Sequence, residues 1–188
     1  VKLEGDLTTA SSRRNTQAIT NRLLVAVQEN SHIRSVKLLG THFSVTAIQN
    51  LLRDCSSLRE LALIGCWSSA SSAMTKAFAK ALHGNTQLQD VTFSSLKTSL
   101  LVTLLRGLQD HPALKTVFLG QFEEEVAVAL RDVLDSTCQL ENVQIYTENL
   151  NAKNMGPLIA GLVTSTSVNF LSLNDCTLHG GAVEELKK

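Results

Sequence analysis

The sequence predicts an α/β fold of stacked strand–loop–helix units, with parallel β-strands on a concave face and α-helices on a convex face. Three observations predict it: an uneven apolar spacing occurs six times, an apolar residue precedes each copy at a constant distance, and helical stretches separate the copies. Self-similarity at intervals of about 20 to 50 residues is typical of solenoids. The chain of 188 residues is therefore predicted to form a horseshoe of about seven repeats.

The strand of each unit is identified by the spacing in LRELALIGC, residues 58–66. Its first apolar position belongs to the incoming turn, and its fourth and sixth positions face the core, because side chains of a strand alternate between the two faces. The first positions are Ile33, Leu58, Leu88, Leu114, Leu140 and Val168. The fourth positions are Val36, Leu61, Val91, Val117, Val143 and Leu171, and the sixth positions are Leu38, Leu63, Phe93, Leu119, Ile145 and Leu173.

The helix of each unit is predicted from an apolar residue six positions before the next unit's first position. The stretches that lead to this residue, such as AITNRLLVAVQEN and VAVALRDVLDST, have apolar residues at three- and four-residue steps. Units of 25 to 30 residues differ in length because the loops vary while both anchors are kept. The anchor residues are Val27, Leu52, Leu82, Leu108, Leu134 and Leu162.

LRELALIGC, FLSLNDCTL and the constant helix-to-strand spacing resemble the leucine-rich repeat family. The resemblance is to its long helical subclass, typified by ribonuclease inhibitor, the arrays of NOD-like receptors and Ran GTPase-activating protein. It covers nearly the whole chain and implies one leucine-rich repeat domain over residues 1–188. Leu96, Phe122 and Glu148 replace the Asn or Cys that the family has at the ninth position, so we expect these turns to use other hydrogen-bond partners.

Both ends of the sequence predict a piece of a longer protein. Val1, Leu3 and Asp6 match the end of an earlier unit, and GAVEELKK begins a helix, whereas repeat arrays generally need polar caps. We expect the isolated segment to associate or fray at its ends. The alternative is that unusual but adequate caps are present.

Composition excludes several classes of partner. Lys and Arg number 17 and Asp and Glu also number 17, so no net field attracts nucleic acid or an anionic membrane. No apolar run approaches the roughly 18 residues of a membrane span. The four cysteines lie far apart without a CxxC pair, which favours a reducing, cytoplasmic location.

The sequence predicts no catalytic site, metal site, cofactor or small-molecule substrate. The patterns HExxH, GxSxG and GxxxxGK[ST] are absent. The cysteines are separated by whole units and are predicted to pack as small apolar residues rather than to share a zinc ion. His83 and His111 are expected to interact with carbonyls at helix ends, and Glu123–Glu125 are expected to begin a helix, where carboxylates are favourable.

The outward face of the strands is the predicted binding surface. Apolar side chains there have no second layer to pack against, so we predict a noncatalytic module that binds a protein or peptide partner. Charged residues such as Arg34, Arg59 and Glu60 are expected to pair across strands. Trp67 is either an exposed anchor for the partner or fills a gap under its loop. The predicted partner-binding residues are Lys37, Leu39, Ile64, Trp67, Phe118 and Tyr146.

The resemblance leaves two other functions open. One is the regulation of another enzyme, as a GTPase activator or an enzyme inhibitor. The other is ligand sensing, as the repeat region of an intracellular immune receptor. The family includes inhibitors, sensors, activators and scaffolds, and a fold does not by itself specify a function.

Overall fold

A computed structural model describes residues 2–4, 10–66, 71–136 and 139–185 of the chain. Strands and helices alternate along it for most of its length. The strands are β1 Lys2–Glu4, β2 Ser35–Leu39, β3 Glu60–Ile64, β4 Asp90–Ser94, β5 Thr116–Leu119, β6 Asn142–Tyr146, β7 Asn149–Leu150, β8 Phe170–Asn174 and β9 Thr177–Leu178. The helices are α1 Ala10–Gln28, α2 Val45–Asp54, α3 Ser72–Gly84, α4 Thr98–Arg106, α5 Glu124–Leu134, α6 Ala152–Thr164 and α7 Ala182–Glu185.

The main sheet is parallel and its strands follow chain order. The sheet contains six strands of four or five residues, β2 to β6 and β8. The three-residue β1 pairs with β2 at one edge of the sheet. Consecutive parallel strands need a crossover of a dozen or more residues, and a helix lies within each crossover. Each helix contacts the next helix along the chain. The predicted α/β fold, a parallel sheet whose strands alternate with helices, is confirmed.

The strands pair in the register that the repeated spacing predicts. Val36 lies opposite Leu61, Leu61 opposite Val91, and this fourth-position column continues through β8. At the edge of the sheet, Leu3 of β1 pairs with Leu38, so Leu3 belongs to the sixth-position column. A shift by one residue would move every apolar side chain to the opposite face, so burial of one face determines this register.

One continuous apolar core lies between the sheet and the helices. From β2 to β6, the side chains at the fourth and sixth positions are at most 1% exposed. The helix anchors from Val27 to Leu134 are also buried, whereas Leu162 is partly buried. Phe43 and Phe78 add an edge-to-face ring contact at a centroid distance of 6.4 Å. The core is otherwise mainly aliphatic, as the composition indicates.

A polar side chain closes several of the helix-to-strand loops, three residues before the first position of the next unit. Asn85 Oδ1 accepts hydrogen bonds from the backbone amides of Gln87 and Leu88, both at 3.0 Å. At the equivalent position, His111 Nδ1 accepts from the amide of Ala113 at 3.3 Å. Asn85 Nδ2 also donates to the Leu52 carbonyl at 2.7 Å. These side chains satisfy backbone groups that the loop would otherwise leave unpaired.

The turns after the strands are also stabilised by hydrogen bonds between side chains and backbone carbonyls. Cys66 Sγ, at a ninth position, donates to the Leu38 carbonyl at 3.2 Å. Where Leu96 and Phe122 replace that thiol, their carbonyls accept from Gln121 Nε2 at 2.6 Å and Asn154 Nδ2 at 2.9 Å. The expectation of other partners at these two turns is confirmed.

The residue before the ninth position has a left-handed backbone in several turns. Its φ is +56° at Gly40 and +58° at Gly65, a conformation that glycine adopts without a side-chain penalty. Ser95 and Asp175 adopt it as well, with φ of +53° and +48°. At the turn of Glu148, its carbonyl accepts from Thr177 at 3.3 Å, and β7 pairs with β9 in a separate parallel ladder.

The helix starts include one predicted acidic segment. Glu124 and Glu125 lie in the first turn of α5, and Glu123 is its N-cap residue, so the predicted position of Glu123–Glu125 is confirmed. Glu123 accepts a hydrogen bond from the Thr98 hydroxyl at 2.5 Å. No helix among the described residues is both long and apolar enough to cross a membrane.

Candidate functional site

The face of the sheet that points away from the core forms a continuous ladder of side chains, which we call the outer face. It consists of the fifth and seventh positions of each strand unit. The fifth positions pair in register along the whole row. The outer face comprises Lys37, Ala62, Thr92, Phe118, Gln144 and Ser172 in the fifth column and Leu39, Ile64, Ser94, Gly120, Tyr146 and Asn174 in the seventh.

The structure places five of the six predicted partner-binding residues on this face, in two groups. Lys37, Leu39 and Ile64 lie together on β2 and β3, and Leu39 pairs with Ile64. Phe118 and Tyr146 lie on β5 and β6. The small side chains of β4 separate the groups, and strands spaced about 4.8 Å apart put β3 roughly 14 Å from β6. Trp67 lies outside the described residues.

Exposure differs between these residues. Tyr146 is 42% exposed, and Lys37 is exposed. Leu39, Ile64 and Phe118 are half-buried because their neighbours in the ladder cover part of each side chain. The outer face therefore presents aliphatic side chains on β2 and β3 and aromatic side chains on β5 and β6.

Ion pairs cross the strands at the margin of this face. Lys37 Nζ lies 2.6 Å from Glu60 Oε1, and Lys115 Nζ lies 3.1 Å from Glu141 Oε1. Of the residues expected to pair across strands, Glu60 does so with Lys37, whereas the Arg59 guanidinium donates to the Ser56 carbonyl at 3.0 Å. Burial alone raises the pKa of Glu60, but hydrogen bonds from Lys37 and Ser35 outweigh it and leave the pKa below its usual value. Partly exposed pairs of this kind contribute about 0 to 1 kcal/mol each.

A groove of about 490 Å³ opens where β5 and β6 end. Tyr146, Glu123 and Glu148 are among its lining residues, and all three side chains are exposed. Within the described ranges, no basic residue is among its lining residues. The lining residues are Gly120, Gln121, Phe122, Glu123, Tyr146, Thr147, Glu148, Asn149, Asn151 and Asn154.

Asn154 holds the walls of this groove together from the first turn of α6. Its buried Nδ2 donates to the carbonyls of Phe122 at 2.9 Å and Asn149 at 3.0 Å. Its Oδ1 accepts from the amide of Asn151 at 2.9 Å, which completes a capping box. One side chain thus joins the loop after β5, the strand β7 and the start of α6.

Gly120 allows β5 to approach β4 closely at the edge of the groove. A Cβ atom at this position would collide with the side chain of Ser94. Any larger residue at position 120 would force the neighbouring strand to shift. At Gly120 the groove is therefore bounded by backbone that packs directly against Ser94.

The pKa of Tyr146 is raised above its usual value, first by hydrogen bonding to the side chain of Asp175 in the turn after β8 and then by the charge of Asp175, while some desolvation and the charge of Glu148 add to the shift. The neutral phenol is thereby favoured as a hydrogen-bond donor to a carboxylate. Its stabilising contribution is present at neutral pH and is lost as the pH rises through the raised pKa.

Replacing Asp175 by asparagine is expected to lower the pKa of Tyr146 towards its ordinary value of about 10. The chain has a single tyrosine, so the ultraviolet absorbance of tyrosinate during an alkaline titration measures this group alone. Asp90→Asn, on a different strand, serves as the control and should leave the curve unchanged. Identical titrations of the wild type and Asp175→Asn would contradict the assigned pair.

The described cysteines do not gather at this face. Cys55 and Cys66 are buried and Cys176 is partly buried, all three as free thiols, while Cys138 lies outside the described residues. Burial raises the pKa of the Cys66 thiol, although hydrogen bonds involving Thr41 and Ile64 partly offset it. Within the described ranges, no three His, Cys, Asp or Glu side chains are positioned to share a metal ion.

The two histidines that were expected to contact carbonyls at helix ends differ in position. His83 lies in the last turn of α3, and its contact with carbonyls stays a prediction, whereas His111 lies in the loop after α4 and its Nδ1 accepts from the backbone amide of Ala113 instead. His111 is fully buried, and its Nε2 is the only buried side-chain nitrogen or oxygen among the described residues without a hydrogen-bond partner. The two rings meet edge to face, with centroids 6.4 Å apart.

Sequence reasoning missed the groove and the two residues that organise it. Asp175 lies nearly 30 residues from Tyr146 in the chain, and only the β6–β8 pairing brings their turns together. Asn154 carries a sequence signal, because it follows Asn151 at the spacing of a capping box. In comparisons with known proteins, the chain matches no family model and no curated protein sequence.

Proposed function

We propose that the chain is a leucine-rich repeat solenoid of the ribonuclease-inhibitor-like type that binds a protein or peptide partner without catalysing a reaction. In such a solenoid the strands lie on the concave side, and extended concave surfaces of repeat proteins serve as binding sites. The proposal is supported by in-register strands, by the helix that follows each of them, and by the consecutive contacts between helices.

The observation that carries the binding proposal is the partial exposure of apolar and aromatic side chains on the outer face. Tyr146 is 42% exposed and Phe118, one strand away, is half-buried. Aromatic residues contribute large contact area and are enriched at the energetic centres of interfaces. We therefore place the main contact at Phe118 and Tyr146, with Lys37, Leu39 and Ile64 as a second contact on β2 and β3.

The groove beside Tyr146 suggests the chemistry of the partner. Glu123 and Glu148 line it, and Asp175 contacts Tyr146. Complementary charge steers association and disfavours partners of like charge. A partner segment that carries a lysine or arginine next to an apolar residue matches this surface better than an acidic segment does.

Partner binding is expected to weaken by at least about 30-fold, equivalent to about 2 kcal/mol, when Phe118 or Tyr146 is replaced by lysine. Affinity capture with the immobilised chain and mass spectrometry would identify the partner. Titration calorimetry with that purified partner would then measure the dissociation constants of the wild type and the variants.

Met74→Asp is the matched control. Met74 is 40% exposed, close to the 42% of Tyr146, but lies on α3, on the helical side. The Met74→Asp variant should bind the partner with the affinity of the wild type. Circular dichroism and thermal unfolding would show that each variant folds. Undiminished affinity in both lysine variants would exclude Phe118 and Tyr146 as the main contact.

A further inference from the structure

A groove of about 550 Å³ opens on the helical side of the molecule, between α3 and α4. It shares no lining residue with the groove beside Tyr146. Ala79 of α3 and Gly107, directly after α4, are among its lining residues. A Cβ atom at position 107 would lie 2.7 Å from the Ala79 carbonyl oxygen, so the two helices meet closely here. The space of the groove therefore lies between the longer side chains that extend from both helices.

Basic side chains line this groove from both helices. Lys76, Lys80 and His83 follow one another at four- and three-residue steps on α3, which places them on one face of the helix. Arg106 lies in the last turn of α4. All four side chains are exposed. At a rise of 1.5 Å per residue, the three residues of α3 span about 10 Å along the helix.

The cations of this groove are not neutralised by neighbouring carboxylates. Lys76, Lys80 and Arg106 form no ion pair with another residue in the part of the chain that the structure describes. Neither α3 nor α4 contains an aspartate or a glutamate. By contrast, Arg53 of α2 and Arg131 of α5 are each followed by an aspartate and lie 2.7 Å from its carboxylate. The positive charge of α3 and α4 therefore has no counter-charge on these two helices.

The groove carries a local positive charge, although the charges of the whole chain are balanced. Lys76, Lys80 and Arg106 supply three permanent cations, and Asp110 is the only acidic residue among the described lining residues, so three cations minus one carboxylate leave an excess of two. Lysines one turn apart on a helix repel each other, and an anion between them would relieve this repulsion. A cleft lined by charges of one sign also concentrates ligands of the opposite sign.

We infer that this groove binds an acidic segment of a partner protein. Carboxylates two residues apart on an extended peptide are separated by roughly 7 Å, close to the rise of about 6 Å from Lys76 to Lys80. None of the described lining residues is Phe, Tyr or Trp, so the groove lacks the aromatic rings on which the bases of single-stranded nucleic acid stack. An acidic peptide therefore matches the groove better than a nucleic acid does. This inference does not depend on partner binding at the outer face.

Fluorescence anisotropy of a labelled peptide of alternating Glu and Ala residues, titrated with the full 188-residue chain, tests this inference. The wild type is expected to bind the peptide saturably and to lose affinity as added salt screens the charges. Lys76→Glu combined with Lys80→Glu should raise the dissociation constant at least about tenfold, because each reversal turns an attraction into a repulsion. Lys76→Gln combined with Lys80→Gln removes the charges without reversing them and should have a smaller effect in the same direction.

Lys97→Glu is the matched control, because Lys97 is exposed, precedes α4 at the end opposite Arg106, and does not line the groove. This variant should bind the peptide with the affinity of the wild type, and circular dichroism would show that each variant folds. The inference is overturned if the wild type does not bind the peptide saturably or if the folded double variants keep wild-type affinity. It is also overturned if Lys97→Glu weakens binding as much as the double reversal does, or if labelled oligothymidylate binds more tightly than the peptide.

Discussion

Replacing Phe93 by alanine is expected to lower the free energy of unfolding by about 3 to 5 kcal/mol. Phe93 is fully buried on β4, between Leu63 and Leu119 in the sixth-position column. Removing its ring deletes apolar contact with both neighbouring strands and leaves a cavity, because the strands on either side are held in register. Urea unfolding monitored by circular dichroism measures the change.

Thr92→Ala is the matched control, one residue earlier on the same strand. Its side chain lies on the outer face and is half-buried, so we expect a change of about 1 kcal/mol or less. A large difference between the two variants follows from the alternation of faces along β4. Equal destabilisation by both would contradict the assignment of one face to the core and the other to solvent.

Stability is expected to fall as the pH decreases from about 7 to 5, in part because of His111. Burial lowers the pKa of His111, and the charge of nearby His83 adds to this, while the carbonyls of Asn85 and Leu82 partly offset it. Below the ordinary histidine pKa of about 6.5, the unfolded chain binds a proton that the folded ring does not. The free energy of unfolding therefore decreases until the pH reaches the lowered pKa.

The variant His111→Asn is expected to flatten this pH dependence and to keep the loop intact. Asparagine at the equivalent position 85 accepts the loop amides through Oδ1 and donates through Nδ2 to a carbonyl of the preceding unit. Asparagine at position 111 can accept the Ala113 amide through Oδ1, as His111 Nδ1 does. Its Nδ2 can donate to a carbonyl of the preceding unit in place of Nε2. Urea unfolding at a series of pH values measures the free energy of unfolding for each variant.

His83→Asn provides the comparison, because His83 is the histidine next to His111 but is exposed. Its replacement should leave most of the pH dependence in place. If His111→Asn retains the slope of the wild type between pH 7 and 5, the pH dependence arises from other groups. If it unfolds at neutral pH, the loop role assigned by analogy with Asn85 is wrong.

The strand columns were predictable because burial repeats at a fixed spacing. Leu61 and Leu63, with their equivalents in the other units, alternate between faces as any strand requires, and the observed register pairs them as predicted. The helix anchors were predictable for the same reason. The closure of the loops by Asn85 and His111 was not predictable from the apolar spacing, because neither residue is apolar. The two are equivalent because each accepts hydrogen bonds from backbone amides of its loop.

The sequence by itself determined the alternation of strand and helix, the face of each strand that enters the core, and the residues that lie in one row on the outer face. These follow from periodicity, which acts within a few residues. Only the tertiary structure decided that Asp175 raises the pKa of Tyr146, that Asn154 joins the loop after β5 to β7, and that Leu173 and Ile19 remain exposed. Those features depend on which units become neighbours in space, and local spacing carries no information about a contact between turns of different units.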